Sequence, residues 1–414
     1  MHLLGVKLGA PRIRLAIAVL IAILGVVTVV GRASAYTDDF KHDAHISVIP
    51  ELWGTHSLSI RSIENGLMSG TTECHEMSPV FIYTLIEDEK ALGANAATVD
   101  MPYDGPDGYA ECQPVDPAAY ESTWVSAIHQ VGLRVWFRQA WNTWAAYYGE
   151  PKFSYATSPS VPYEGAGGAA DVLSGADTGS YLAKTYHFIL DHASYFANGD
   201  IFTPASEADG AGIGPNPGCA AALCEFPSIP EFNRFLRDSL TVDREAFKQI
   251  GVDVFVGLFG TSCEYLDRLE PDTVTAMGIV STDCYVPSAA RLLRDLDTMH
   301  ETYGSPVVLS EWGDIWDEAR EPQTQDSVSQ ALEAVVKSPF VGGMGYWQGI
   351  GGPGGEGLID YPTLQITSAG YSLQHWYAIA ARSCDQPNDP LTVWAEATAT
   401  ALDGDPASWC RIGR

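Results

Sequence analysis

Residues 252–259 read VDVFVGLF, a short apolar run that decides the fold. Runs of this length that are rich in Val, Ile and Phe are typical of parallel strands covered on both faces. Similar runs predict strands at 96–101, 133–137, 201–204, 277–280, 307–310 and 343–347. A first strand is expected either at 58–63 or at the earlier 46–49, which makes eight strands in all.

Amphipathic helices alternate with these strands. Asp116-Pro117 predicts a helix start, because a capping side chain precedes a proline at the first helical position. Ser288 begins another helix, and a further one is expected at 79–92. The alternation predicts an α/β fold, a (β/α)₈ TIM barrel with enlarged loops on one face. An open doubly wound sheet is the alternative, but its Gly-rich phosphate loop after the first strand is missing from the sequence.

The first 35 residues predict a secretory signal peptide. A positively charged start precedes the apolar residues 15–31, and Ala33-Ser34-Ala35 fits the pattern that signal peptidase accepts. We therefore expect a secreted, extracellular protein with a single domain over 36–414, including a C-terminal tail. An uncleaved membrane anchor is the alternative.

The chain that remains after cleavage is strongly acidic. Residues 1–35 hold four of the 23 Lys and Arg residues and none of the 52 Asp and Glu residues, which leaves a formal charge of −33. Phosphates and anionic lipids are repelled by such a charge. We expect no nucleic-acid partner and no membrane partner after cleavage.

Two glutamates follow predicted strands. Glu207 comes after the fourth strand and Glu311 ends the seventh. The strand count places both at the same face of a barrel, where active sites form. Cleaving an acetal with retention needs two carboxyl groups about 5–5.5 Å apart. For either glutamate alone, a solvated or salt-bridged side chain is the alternative.

With these residues the sequence resembles glycoside hydrolase clan A, the cellulase- and mannanase-like barrels. The resemblance covers most of the chain as topology, and as motif it includes Tyr285 and Trp347. It implies that Glu207 is the acid/base and Glu311 the nucleophile, that Tyr285 hydrogen-bonds the nucleophile, and that Trp347 floors the sugar site. The implied activity is retaining cleavage of O-glycosidic bonds, with β-linked poly- or oligosaccharides favoured as substrate.

Further residues are expected to contact the substrate. Ser206 stands where the clan usually has an Asn that bonds the sugar 2-hydroxyl. Arg138 is a candidate to orient Glu311 or to bind sugar, with a solvated arginine as the alternative. Trp141 and Trp312 are candidates because the apolar faces of sugars stack on indole.

The eight cysteines predict disulfides, because an even number follows a signal peptide. Pairing nearest neighbours on the predicted topology gives Cys74–Cys112, Cys219–Cys224, Cys263–Cys284 and Cys384–Cys410. The first three would staple loops on the catalytic face. Other connectivities stay open.

Two other functional classes remain as alternatives. A catalytically inactive carbohydrate-binding barrel would keep the tryptophans but should lack one carboxylate. A metal-dependent deacetylase or phosphodiesterase needs a His/Asp set, and the ten histidines are scattered without one. We therefore expect neither a metal nor another cofactor.

Overall fold

The computed structural model describes residues 44–47, 79–100, 117–139, 141, 155, 168–211, 226–286, 288–313, 325–338, 340–346, 350–351, 358–360 and 363–383. These residues belong to one compact unit, Lys41–Gly413. The expected signal peptide, Trp347 and six cysteines lie outside the described residues (Cys74, Cys112, Cys219, Cys224, Cys384 and Cys410). Within the described ranges, no helix combines the length and apolar character needed to cross a membrane.

A parallel sheet forms the centre of the fold. Its strands are β1 Ala44–Ser47, β2 Ala96–Asp100, β3 Arg134–Arg138, β4 Ile201–Thr203, β5 Phe255–Val256, β6 Thr261–Ser262, β7 Val280–Asp283, β8 Val307–Trp312 and β9 Val341–Tyr346. Their order is β5-β4-β3-β2-β1-β9-β8-β7-β6. The strands at the two ends of this order, β5 and β6, follow each other directly in one short segment of the chain.

That segment, residues 255–262, closes the sheet on itself. On one side, the amide of Phe255 donates to the carbonyl of Asp200 at 2.9 Å. On the other side, Oγ1 of Thr282 donates to the carbonyl of Thr261 at 2.6 Å. β5 and β6 therefore share the fifth position of a parallel barrel, and β7, β8 and β9 take positions six to eight.

Helices connect the strands in alternation. They are α1 Pro79–Ala91, α2 Pro117–Val131, α3 Ala169–Leu173, α4 Tyr181–Asp191, α5 Ile229–Ile250, α6 Pro271–Met277, α7 Ala289–Tyr303, α8 Gln325–Lys337 and α9 Ser368–Ser383. Ser288 caps α7 by accepting a hydrogen bond from the amide of Arg291 at 3.3 Å. Short 3-10 helices lie at Ala193–Tyr195 and Ala208–Ala211, and β10 Ile350–Gly351, β11 Ile359–Asp360 and β12 Gln365–Ile366 form a small second sheet.

Apolar side chains pack on both faces of the barrel strands. Along β3, Val135 and Phe137 belong to the large cluster that includes the helices. Trp136, between them, packs instead with Ile201 and Val308 in a smaller cluster of residues from other strands. Because successive strand residues point to opposite faces, this smaller cluster fills the barrel interior. Trp136 is therefore a core residue of the barrel.

Most strand predictions are correct to within one or two residues, but two need correction. Residues 252–259 are not one strand, because Leu258 and Gly260 adopt left-handed φ angles of 59° and 63° that interrupt the ladder. The strand expected at 277–280 starts at Val280 instead, since Met277 ends α6. For the first strand, the structure has β1 at Ala44–Ser47, which overlaps the earlier of the two alternatives.

Candidate active site

Glu311 lies in β8 at the carboxyl end of the barrel and is 3% exposed. The hydroxyl of Tyr285 donates a hydrogen bond of 2.8 Å to its Oε2. The guanidinium of Arg138 forms an ion pair with its Oε1. Each carboxylate oxygen thus has a partner that favours the ionised form.

Arg138 connects β3, β7, β8 and the turn after β4 at this end. It is the last residue of β3, and its side chain is buried. Its Nε donates to Oγ of Ser206 at 3.1 Å, and its Nη2 lies 3.6 Å from Oδ2 of Asp283. A buried guanidinium is costly unless it is paired and hydrogen-bonded, and here carboxylates of β7 and β8 supply the pairing.

Glu207 follows β4 in a backbone conformation that side-chain-bearing residues rarely adopt. Its φ is +49°, its amide donates to the carbonyl of Phe259 at 2.8 Å, and its carbonyl accepts from the amide of Gly210 at 2.9 Å. A left-handed non-glycine residue costs about 1–3 kcal/mol and persists only where the surroundings enforce it. Such residues cluster at functional sites.

Asp209 fastens the turn that carries Glu207. Its Oδ2 accepts from the amide of Ser262 at 3.1 Å and from Nη1 of Arg268 at 3.2 Å. Burial raises the pKa of the Asp209 carboxyl, and these two donors offset part of that effect. The loop after β4 is therefore tied to the loop after β6.

Three carboxylates converge at this end of the barrel. One oxygen from each of Glu207, Asp283 and Glu311 lies within 4.8 Å of the others. A spacing of about 5–5.5 Å between two carboxyl groups is typical of retaining glycosidases, and inverting enzymes have about 6.5–9.5 Å. The closest oxygens of Glu207 and Glu311, within 4.8 Å of each other, lie below the inverting range.

The same three carboxylates are a group that could hold a cation. In this arrangement Arg138 already contacts two of them, Glu311 and Asp283, and supplies positive charge where an ion would. The sulfurs of Cys263 and Cys284 also lie near a carboxylate, that of Asp295. Both sulfurs are joined in a disulfide, so they are not available as thiolate ligands.

The structure brings together three of the residues that the sequence singled out around the glutamates. Tyr285 and Arg138 contact Glu311 directly, and Ser206 accepts a hydrogen bond from Arg138. The Cys263–Cys284 disulfide is confirmed, with Cα atoms 5.3 Å apart. It anchors the chain directly before Tyr285 to the loop after β6.

The tryptophans are placed differently from the prediction. Trp141 is 1% exposed and packs edge-on against Phe188, 5.4 Å between ring centroids. Trp312 is 2% exposed and packs edge-on against Tyr346 at 5.4 Å. Their assignment as sugar contacts is corrected, because indole faces buried in this way are not open to a ligand. Trp347 lies outside the described residues.

Asp283 is the site residue that sequence reasoning missed. It is the last residue of β7 and precedes Tyr285 by two positions. Its Cα is the register partner of Glu311 between β7 and β8. The sequence Asp-Cys-Tyr at the end of the sixth barrel strand could therefore have indicated that Asp283 belongs to the site.

Comparison with known proteins identifies the fold of this chain but no related sequence. No protein-family model matches the sequence, and no curated protein matches it. Solved structures do match. A β-glycosidase, BGL167, is 11% identical with a TM-score of 0.52, over 82% of this chain and 97% of that one. A family 5 xyloglucanase from Paenibacillus pabuli is 15% identical with a TM-score of 0.51, over 82% of this chain and 99% of that one.

A third match is an exo-β-1,4-mannosidase from Opitutaceae bacterium strain TAV5. It is 13% identical with a TM-score of 0.50 over 73% of this chain, and this chain spans 55% of its length. At such identities the likeness concerns the fold alone. These matches show that the chain has the fold of the matched glycosidase structures.

Proposed function

We propose that this protein is a retaining glycoside hydrolase that cleaves β-linked O-glycosidic bonds in a poly- or oligosaccharide. One observation carries the proposal: Glu207 and Glu311 place carboxylate oxygens within 4.8 Å of each other at one end of the barrel. Tyr285 and Arg138 additionally hold Glu311 as an anion. A carboxylate so held is suited to nucleophilic attack, and its partner is suited to proton transfer.

In the first step, an oxygen of Glu311 attacks the anomeric carbon. The bond to the leaving oxygen breaks, and Glu207 gives that oxygen its proton, so the product is a glycosyl ester on Glu311 and a free alcohol. The negative charge of Glu311 and Asp283 close to Glu207 favours the protonated acid that this step needs.

In the second step, Glu207 acts as a base. It removes a proton from water while the water oxygen attacks the anomeric carbon, and Glu311 leaves as a carboxylate. Two inversions give overall retention. Glu207 ends the cycle protonated, as it began.

The names of the matched structures support the substrate class. They include a β-glycosidase, a xyloglucanase and an exo-β-1,4-mannosidase. The buried, paired charges of the site fit a neutral substrate. That nucleic acid is not a partner stays a prediction from the acidity of the chain.

Hydrolysis of β-glucan, mannan, xylan and a series of aryl β-glycosides tests the proposal. Wild-type protein should release reducing sugar or aryl alcohol from at least one of them, and Glu311→Gln should release none. Glu245→Gln, a partly exposed change on α5, is a matched control that should retain wild-type rates. Tight binding of a glycan without any turnover would support the inactive carbohydrate-binding barrel instead.

We also propose that residues 1–35 are a cleaved signal peptide and that the protein acts outside the cell. The support is the sequence pattern alone. Amino-terminal sequencing of protein recovered from culture medium should begin at Tyr36. Recovery of an intact amino terminus in the membrane fraction would favour an anchor.

A further inference from the structure

We propose that Asp283 is a positioning residue for the nucleophile and acts through Arg138. Asp283 also interacts with the guanidinium of Arg138, so the positive charge of Arg138 compensates the negative charge of Glu311 only in part. The inference rests on the proposed function, because it concerns the reactivity of Glu311 in glycosyl transfer. It adds a third carboxylate to the pair that the proposed mechanism uses.

The backbone places Asp283 beside Glu311. Their Cα atoms are register partners in the parallel ladder of β7 and β8, and the register shifts between Thr282 and Asp283. Such an irregularity re-aims the side chain that follows it. Asp283 is 5% exposed, so its carboxylate lies within the site and not in solvent.

Its two oxygens face different partners. Oδ1 accepts a hydrogen bond of 2.5 Å from Oγ of Ser310, and Oδ2 lies 3.6 Å from Nη2 of Arg138. Gly260 provides the space, because a Cβ at that position would lie 2.5 Å from Oδ2 of Asp283. Residues of β3, of β8 and of the segment between β5 and β6 thus contribute to the placement of this carboxylate.

The charges around Glu311 explain what this placement does. The described residues bring Arg138, Tyr285, Glu207 and Asp283 to it. Arg138 supplies one positive charge to two buried carboxylates, and interactions between buried charges are much stronger than in water. When Asp283 takes part of that charge, Glu311 stays an anion but remains basic enough to attack.

Removing the charge of Asp283 should therefore have a defined consequence. Arg138 would pair with Glu311 alone, which stabilises the ionised nucleophile and lowers its basicity. Attack on the anomeric carbon would slow, and ionisation of Glu311 would occur at lower pH. A purely structural role would lower activity without moving the ionisation.

Asp283→Asn, which keeps the shape of the side chain, is the direct test. The measurements are kcat and KM across pH on an aryl β-glycoside that wild type hydrolyses. The acid limb of the profile should move down by about one pH unit or more. We expect kcat to fall at least roughly tenfold, with KM changing much less, because an interaction of the transition state is lost.

Ser310→Ala should move the acid limb of the pH profile to higher pH. Without the Ser310 hydroxyl, Asp283 loses a donor and pairs more fully with Arg138, which leaves less positive charge for Glu311. This second variant keeps every charge, so it tests the inference even if Asp283→Asn does not fold. Glu245→Gln removes a charge from a partly exposed position on α5 and should leave the limb in place.

The outcomes separate the two proposals. Opposite shifts in Asp283→Asn and Ser310→Ala support the positioning role. An unmoved acid limb in both variants, or an upward shift in Asp283→Asn, overturns it while hydrolysis by wild type stands. Failure of wild type to hydrolyse any glycoside overturns the proposed function itself.

Discussion

The hydroxyl of Tyr285 donates a hydrogen bond of 2.8 Å to Oε2 of Glu311. A hydrogen bond to a charged group contributes about 1.5–3 kcal/mol. Tyr285→Phe removes the donor and keeps the ring, so we expect kcat on an aryl β-glycoside to fall roughly tenfold to hundredfold. Steady-state kinetics measure this effect, and an unchanged circular dichroism spectrum shows that the variant is folded. A variant with the wild-type kcat would show that Tyr285 has no role in the mechanism.

Gly260 is expected to tolerate no side chain. Its φ is +63°, and an added Cβ would meet Oδ2 of Asp283 at 2.5 Å. Gly260→Ala should therefore destabilise the fold by about 1–3 kcal/mol and reduce activity. Gly304→Ala is the matched control, since Gly304 also has a positive φ, +59°, but no atom within 4 Å of its added Cβ. Equal activity losses in the two variants would contradict the crowding of Asp283.

The Cys263–Cys284 disulfide joins the loop after β6 to the residue between Asp283 and Tyr285. Replacing both cysteines by serine should lower the free energy of unfolding by about 2–4 kcal/mol. We expect kcat to fall as well, because Tyr285 loses its anchor. Urea unfolding measures the first effect, and a peptide map of unreduced protein that showed other partners for these cysteines would contradict the pairing.

Asp243 in α5 makes stability depend on pH. Burial raises the pKa of its carboxyl well above the usual range, and a hydrogen bond from Oγ1 of Thr185 offsets only part of this. The folded protein keeps a proton that the unfolded chain loses above about pH 4, so stability falls as the pH rises from there toward the folded pKa. Asp243→Asn mimics the protonated form and should remove this loss.

Urea unfolding at about pH 4 and about pH 7.5 checks the sign for Asp243. The Asp243→Asn variant should be more stable than wild type at the higher pH, and the difference should shrink at the lower pH. A variant that is less stable at both values would show that the carboxylate is ionised and paired in the fold. Asp253→Asn, on the partly exposed segment before β5, is the control for the substitution itself.

Elements with strong local signals could be predicted from the sequence. Ser288 begins α7, Pro117 begins α2, and Glu311 ends up in the seventh barrel strand, because capping and apolar runs act over a few residues. The break at Leu258 could not be predicted in this way. It depends on how the fifth barrel strand turns to pair with β4 on one side and β7 on the other.

The positions of the two glutamates could be predicted from the sequence, but the roles of the aromatic residues expected around them could not. Glu207 and Glu311 follow strands, so the topology alone brings them to one end of the barrel. Trp141 was misassigned because its partners, Tyr181 and Phe188, come from a helix about 40 residues later in the chain. Whether an indole packs in the core or meets solvent depends on such distant contacts.

The central claim is that Glu311 is the nucleophile and that Glu207 is the acid/base. In Glu207→Ala, an activated aryl β-glycoside needs little acid assistance, so the glycosyl ester on Glu311 should form and accumulate. Azide can then attack that ester without a base. Glu311→Gln should stay inactive on every substrate, because no ester can form.

The configuration of the glycosyl azide, determined by proton NMR, tests this claim most directly. Our account predicts that azide restores turnover to the Glu207→Ala variant and that the product is a β-glycosyl azide, retained relative to the substrate. An α-glycosyl azide from the Glu207→Ala variant, or a β-glycosyl azide from a Glu311→Ala variant, would contradict it and exchange the two roles.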